Sequence, residues 1–270
     1  MTRRLTRALA VLPALGLLVG GPPAHAGLAD RVGATFVLVA EDFVRAFQPV
    51  EGLVVGVEGD ALYLDLGESR GAQTGQELTI FRRGEEFHHP VTGKPLGHYE
   101  EALGWAQIRR VQARFSEAVY VPLEGKPRPQ ADDGVRITRG RIRIAITPVL
   151  DLTQSKADLR RVPYLLAIVL ERSKRFQVAD PLAVAEVFAP GGARVEEVLG
   201  LPNRATRLAR TLEVTGWVVP VVLERRGVTY LDTTWISAVT GTALFSRRQP
   251  LVPPAAAEEQ RFPWEPPVED

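Results

Sequence analysis

The 270-residue chain has no cysteine. This excludes a disulfide framework, a thiolate zinc site, an iron–sulfur cluster, a cysteine nucleophile and the thioether lipid anchor of a bacterial lipoprotein. Aromatic residues are sparse at 7%, and neither sign of charge prevails: 33 Lys and Arg stand against 32 Asp and Glu. A near-neutral protein has no overall field with which to gather nucleic acid or anionic lipid. Beyond the leader described next, no window holds the 18 or more uninterrupted apolar residues of a membrane-spanning helix. Also missing are a Gly-x-Ser-x-Gly elbow, a His-Glu-x-x-His helix and a phosphate loop ending in Gly-Lys-Ser/Thr. Hydrolase, zinc-protease and nucleotide chemistry therefore have no foothold in the motifs, and no cofactor is expected.

What is present starts with a leader. Met1–Arg7 is basic, Ala8–Gly20 is almost wholly apolar, and Pro22-Pro23-Ala24-His25-Ala26 ends it, as in a cleavable secretory signal. Thirteen helical residues span about 20 Å against about 30 Å of hydrocarbon, too short for an anchor. Cleavage is expected after Ala26, giving a soluble periplasmic protein with 30 basic and 32 acidic side chains.

Residues 27–48 have helical spacing, with Leu28, Val32, Phe36, Val39, Phe43 and Phe47 at intervals of three or four. Pro49 stops the helix. From Val50 the period becomes two. Strands are predicted over 50–57, 61–66, 77–82, 103–112, 115–123 and 134–138, and Leu62, Leu64 and Leu66 share a face. Turns bearing Gly67, Gly71, Gly75, Gly93 and Gly97 separate them, as in a small barrel over 49–138 that closes its own edges.

Residues 125–133 form a loop or boundary. Over 139–250 the pattern turns mixed, with strands at 141–149, 176–179, 217–224, 229–237 and 242–249. Between them, Pro163 opens one helix, Asp180 and Pro181 cap a second, and Asn203 caps a third. The last three strands read as antiparallel hairpins. The class is α+β, a small β-barrel domain followed by an α/β domain with a mixed sheet. A proline-rich tail over 251–270 is predicted to be disordered.

Four sets of side chains are candidates for chemistry. His88, His89 and His98, with Glu100 or Glu101, have the residue types of a metal site. Adjacent histidines on extended chain point opposite ways, however, and turn structure explains His89 better. Glu85-Glu86, Glu100-Glu101 and Asp132-Asp133 are sequence neighbours, unlike the facing carboxylates that hydrolysis requires. Trp217, Trp235, Tyr230 and Phe245 fit strand packing. Arg136, Arg139, Arg141 and Arg143 make a basic run at the domain junction; Arg139, Arg141 and Arg143 would share a strand face and could dock an acidic partner. Nucleic acid is excluded as that partner by the lack of interleaved aromatics.

Two stretches resemble known families. The series Gly52-Leu-Val-Val-Gly-Val, Leu62-Tyr-Leu-Asp-Leu-Gly67, Gly71-x-x-x-Gly75, His89-Pro-Val-Thr-Gly93-x-x-Leu-Gly97, Leu103-Gly-x-Ala-x-Ile108 and Phe115-Ser-x-Ala118 is similar to the carboxy-terminal β-barrel of the flagellar assembly protein T family. The series Ile142-Arg-Ile-Ala-Ile-Thr-Pro148, Leu170-Glu-Arg-Ser-Lys-Arg-Phe176-Gln-Val-Ala-Asp180, Leu208-Ala-x-x-Leu212, Trp217-Val-Val-Pro-Val and Ala238-Val-Thr-Gly241-x-x-Leu-Phe-Ser246 resembles the α/β domain of TolB amino-terminal regions, curli-secretion lipoproteins and penicillin-binding-protein activators. These resemblances imply a non-enzymatic envelope protein that docks onto envelope proteins. Flagellar basal-body components are the first expectation, regulation of an envelope enzyme the second and a hydrolase the third.

Overall fold

A computed structural model describes residues 27–155 and 157–254. The predicted leader and most of the predicted tail lie outside them. In chain order the elements are α1 (Leu28–Ala46), β1 (Val50–Glu58), β2 (Ala61–Leu64), β3 (Glu77–His88), β4 (Pro95–Val111), β5 (Ser116–Pro122) and β6 (Gly134–Ile137). They continue with β7 (Ile142–Ile146), β8 (Leu150–Asp151), α2 (Val162–Arg172), β9 (Phe176–Val178), α3 (Pro181–Val187), α4 (Val195–Gly200), α5 (Pro202–Thr211), β10 (Gly216–Arg225), β11 (Val228–Ser237) and β12 (Ala243–Pro250). No helix among the described residues is long and apolar enough to cross a membrane.

The first six strands close in the order β1-β2-β5-β4-β3-β6. Inward positions alternate with outward ones, and Val54, Leu62, Leu64, Leu66, Leu78, Ile80, Leu103, Ile108 and Val135 fill the interior. Gly134 permits the closure where β6 meets β3: a Cβ there would lie 2.2 Å from the Phe81 ring.

The second sheet runs β12-β11-β10-β7-β9, with β8 paired to β10. The last three strands are antiparallel, whereas β7 is parallel to both β10 and β9. Alternation along β10 divides the core. Val218 and Val222 face one layer; Trp217, Val219 and Val221 face α3, α4 and α5 on the other. The Trp217 indole N–H donates to the Ala205 carbonyl at 3.1 Å, which satisfies its only polar atom in a buried site.

The layer on the first face contains α1. Phe36, Val39, Phe43 and Phe47 are buried with Ile144, Leu166, Phe176, Val218 and Trp235, so the helix preceding the barrel in sequence covers the sheet that follows it. The ring centroids of Phe47 and Trp235 are 4.4 Å apart, and those of Phe43 and Phe245 are 5.0 Å apart. Periodicity shows that a face is buried but not what covers it.

The junction between barrel and sheet is made of polar groups with defined partners. Arg175 is 6% exposed, and its guanidinium donates to the carbonyls of Phe47, Gly140 and Thr138. Three segments thus converge on one side chain. Gln76 donates to the Ala46 carbonyl at 3.0 Å. The Glu77 carboxylate accepts from Gln107 and from the Ser237 hydroxyl, both at 2.8 Å.

Burial pushes the Glu77 carboxyl above its ordinary value, with those two hydrogen bonds pulling the other way. A raised native pKa means that the folded state holds its proton to higher pH. Glu77 therefore stabilises the fold most below about 4.5, and that contribution falls as pH rises through its elevated pKa. Urea titrations across this range are expected to show that downward slope, and Glu77→Gln to remove its share of it. An unchanged slope would mean that the carboxyl is not enclosed in solution.

Three local expectations are corrected. Pro202 occupies the first turn of α5, so Leu201 precedes the helix and Asn203 lies inside it, without the predicted capping role. By contrast, Asp180 accepts from the Leu182 amide at 2.9 Å, as an N-cap should. At the start of the predicted tail, Leu251 is buried and bonded to Thr229. The third correction concerns β3 and β4, which run much further than 77–82 and 103–112.

Candidate functional site

Past the Phe81–Ala102 register pair, β3 and β4 leave the barrel as a two-stranded ribbon, about 20 Å long at 3.3 Å per residue. From Arg83 to Ala102 every residue except His89 is exposed. Residues in this stretch pair with one another, not with a core, so the sequence shows no apolar alternation there and reads as a turn region.

The tip is locally closed. The His89 amide donates to the Lys94 carbonyl at 2.8 Å, and the His89 ring nitrogen accepts from the Val91 and Thr92 amides at 3.1 and 3.2 Å. His98 lies 3.2 Å from the Gly84 carbonyl, and His88 pairs with Glu86 at 3.2 Å. The three histidines therefore have separate partners, and no group of three metal-ligating side chains occurs among the described residues. Gly93, with φ of 64°, takes the left-handed turn position that favours glycine.

The base is braced from both faces. On one, Arg83 meets Glu51 at 2.5 Å and Arg136 meets Glu100 through two bonds of 2.5 and 3.0 Å. The Arg136 guanidinium also lies over the Phe81 ring, 4.2 Å from its centroid. On the other, Arg82 grips the buried Asp133 at 2.7 and 2.8 Å, and Lys126 meets Glu101 at 3.1 Å. Most of these pairs are exposed and individually worth less than about 1 kcal/mol. Arg82–Asp133 is bidentate and half-buried, which fixes the angle at which the ribbon departs.

Beyond the braced base the ribbon carries apolar side chains in water. Phe87 and Tyr99 share a face and meet edge-on at 5.3 Å, 44% and 63% exposed; Val91 and Leu96 are 86% and 56% exposed. This constellation is absent from the sequence reading. Its only signal is two polar arms of similar length, each with one aromatic, around Pro90-Val91-Thr92-Gly93.

The four arginines do not form one surface. Arg136 belongs to the ribbon base. Arg139 lies in the bend before β7, because that strand begins only at Ile142, and Arg141 also precedes it. The predicted common strand face is therefore not formed. Arg141 donates to the Phe176 carbonyl at 2.7 and 3.0 Å, and Arg143 reaches Glu213 at 3.4 Å. Trp217 and Trp235 are buried packing residues, as their strand spacing implied.

No protein-family model matches the chain. An uncharacterised protein of Aquifex aeolicus (strain VF5) is 34% identical over 90 residues, covering 33% of this chain and 18% of that protein. The chain thus spans under a fifth of that relative's length. Among solved structures, the LpoB C-terminal domain from Escherichia coli is 13% identical, with a TM-score of 0.35 over 43% of this chain and 85% of that one. Lipoprotein GNA1162 from Neisseria meningitidis is 14% identical, with a TM-score of 0.30 over 40% of this chain and 78% of that one. The structure itself is α+β, a closed barrel and a mixed sheet layered with helices.

Proposed function

We propose that this chain is a non-enzymatic envelope protein that docks onto a larger assembly through the β3–β4 ribbon and regulates an envelope enzyme, as penicillin-binding-protein activators do. The observation that carries this reading is the ribbon itself: a mount fixed by ion pairs at its base and tipped with an exposed aromatic pair. Apolar rings held in water on a rigid support gain free energy when a partner covers them, and aromatic anchors dominate the energetics of such contacts. Export is supported by the basic-then-apolar Met1–Ala26 leader, and the activator reading by the resemblance over 142–246. The barrel resemblance over 50–121 favours a second reading, support of the flagellar basal body.

Purified protein is expected to stimulate a cell-wall synthase directly. Phe87→Ser with Tyr99→Ser is expected to weaken that interaction by about 30-fold or more, equivalent to roughly 2 kcal/mol, with thermal stability unchanged. A photo-crosslinker at Val91 is expected to capture the same synthase in cells. No stimulation, together with motility defects in a deletion strain, would favour the basal-body reading. Neither effect would refute both.

A further inference from the structure

His89 is half-buried at the end of an otherwise exposed ribbon, and its ring builds the turn that carries Val91. Nδ1 accepts from two consecutive amides, those of Val91 and Thr92, at 3.1 and 3.2 Å. A ring nitrogen accepts only while it carries no proton. The neutral imidazole therefore holds its proton on Nε2. The imidazolium, protonated on both nitrogens, would aim an N–H at two N–H donors. Two backbone bonds around the turn do not titrate: the His89 amide donates to the Lys94 carbonyl at 2.8 Å, and the Gly93 amide to the His89 carbonyl at 2.9 Å.

The titratable and charged groups on the two strands and the turn around His89 respond differently. The Nδ1 of His98 lies 3.2 Å from the Gly84 carbonyl, which only accepts, so that nitrogen bears a proton in both charge states. The Nε2 of His88 faces Glu86 at 3.2 Å, a pair that a positive ring strengthens. Glu85 and Lys94 are the other charged groups beyond the braced base. Among the described residues, the His89 ring is bonded to backbone amides and not to a charged side chain. Acid thus removes bonds at His89 and spares those of its neighbours.

We infer that His89 is a pH-sensitive latch on the ribbon tip: the neutral ring holds Val91 and Thr92 in place, and its protonation frees them while the ends of the turn stay closed. Histidine is the side chain whose charge ordinarily changes between about pH 5 and pH 8. The latch bears on recognition because Val91, 86% exposed, is the outermost apolar group of the tip. This consequence rests on the docking function proposed above. At neutral pH a partner meets a tip already ordered; in acid it must order the tip on binding, at a cost in affinity.

NMR of the full-length protein between about pH 8 and about pH 5 tests the latch without a partner. The Val91 and Thr92 amide resonances are expected to shift with the same midpoint as the His89 ring signals. In His89→Asn, whose side-chain oxygen accepts at any pH, both amides should hold their positions across the range. His88→Asn and His98→Asn should leave the wild-type titration intact. Affinity for the purified synthase is expected to fall at least about fivefold between about pH 7.5 and about pH 5.5 in the wild type, and less than about twofold in His89→Asn. Amides that do not follow the His89 ring, or that titrate equally in His89→Asn, would overturn the latch. An affinity that falls equally in the wild type and His89→Asn would overturn its part in docking. No binding at any pH, with both amides still tracking His89, would refute the docking function and uphold the latch.

Discussion

Phe43→Ala is expected to cost about 3–5 kcal/mol of folding free energy, out of roughly 5–15 kcal/mol for a typical protein. Phe43 is completely buried, with its ring 6.0 Å from Phe36 and 5.0 Å from Phe245. Truncation removes those contacts and opens a cavity that α1, held at both ends, cannot collapse into. Asp30 pairs with Arg161 at one end, and Arg175 bonds the Phe47 carbonyl at the other. Urea unfolding measures the loss as a lower midpoint at unchanged slope. Leu38→Ala, on the exposed side of the same helix, is the control and should shift stability by no more than about 0.5 kcal/mol. Equal effects would mean that α1 does not belong to the core of the second sheet.

Arg175→Ala is the second large effect, expected at about 3 kcal/mol from the loss of several buried hydrogen bonds. Among the described residues no carboxylate pairs with the buried guanidinium, and burial lowers its pKa. Its charge is satisfied by three backbone carbonyls instead. Removing it leaves those acceptors short of a donor, at about 1–3 kcal/mol for each that water cannot reach. Arg175→Lys should recover only part of the loss, because one ammonium cannot reproduce a planar fork spread over three segments. Since those segments end α1 and link β6 to β7, the Ala variant is also expected to become sensitive to trypsin at Arg139 and Arg141. Unchanged resistance to trypsin would mean that the junction is held by Gln76 and Glu77 alone.

These two residues also show how far the sequence could be read. The buried face of α1 was legible because six apolar positions at intervals of three or four admit one helical stripe. The sheet it covers was not, because that depends on chain reversal after the barrel. Arg175 stood in plain view within Arg-Ser-Lys-Arg-Phe, yet a buried arginine bonded to backbone has the same local spelling as a solvated one. The ribbon escaped for the opposite reason. Its strands bury nothing, so the alternation that revealed Leu62, Leu64 and Leu66 is missing from 83–102. The arginine run misled because equal spacing suggests a common strand face, whereas β7 starts at Ile142, between Arg141 and Arg143.

The placement of α1 on the later sheet has a consequence for biogenesis. The helix is the first described element to be synthesised, but its seat is built largely from residues 142–251, beyond the whole barrel. The barrel can mature while the helix waits, its row of phenylalanines uncovered. Acquisition of native structure should therefore be biphasic, and a holdase that shields the waiting helix should raise the yield of folded protein without changing its final stability.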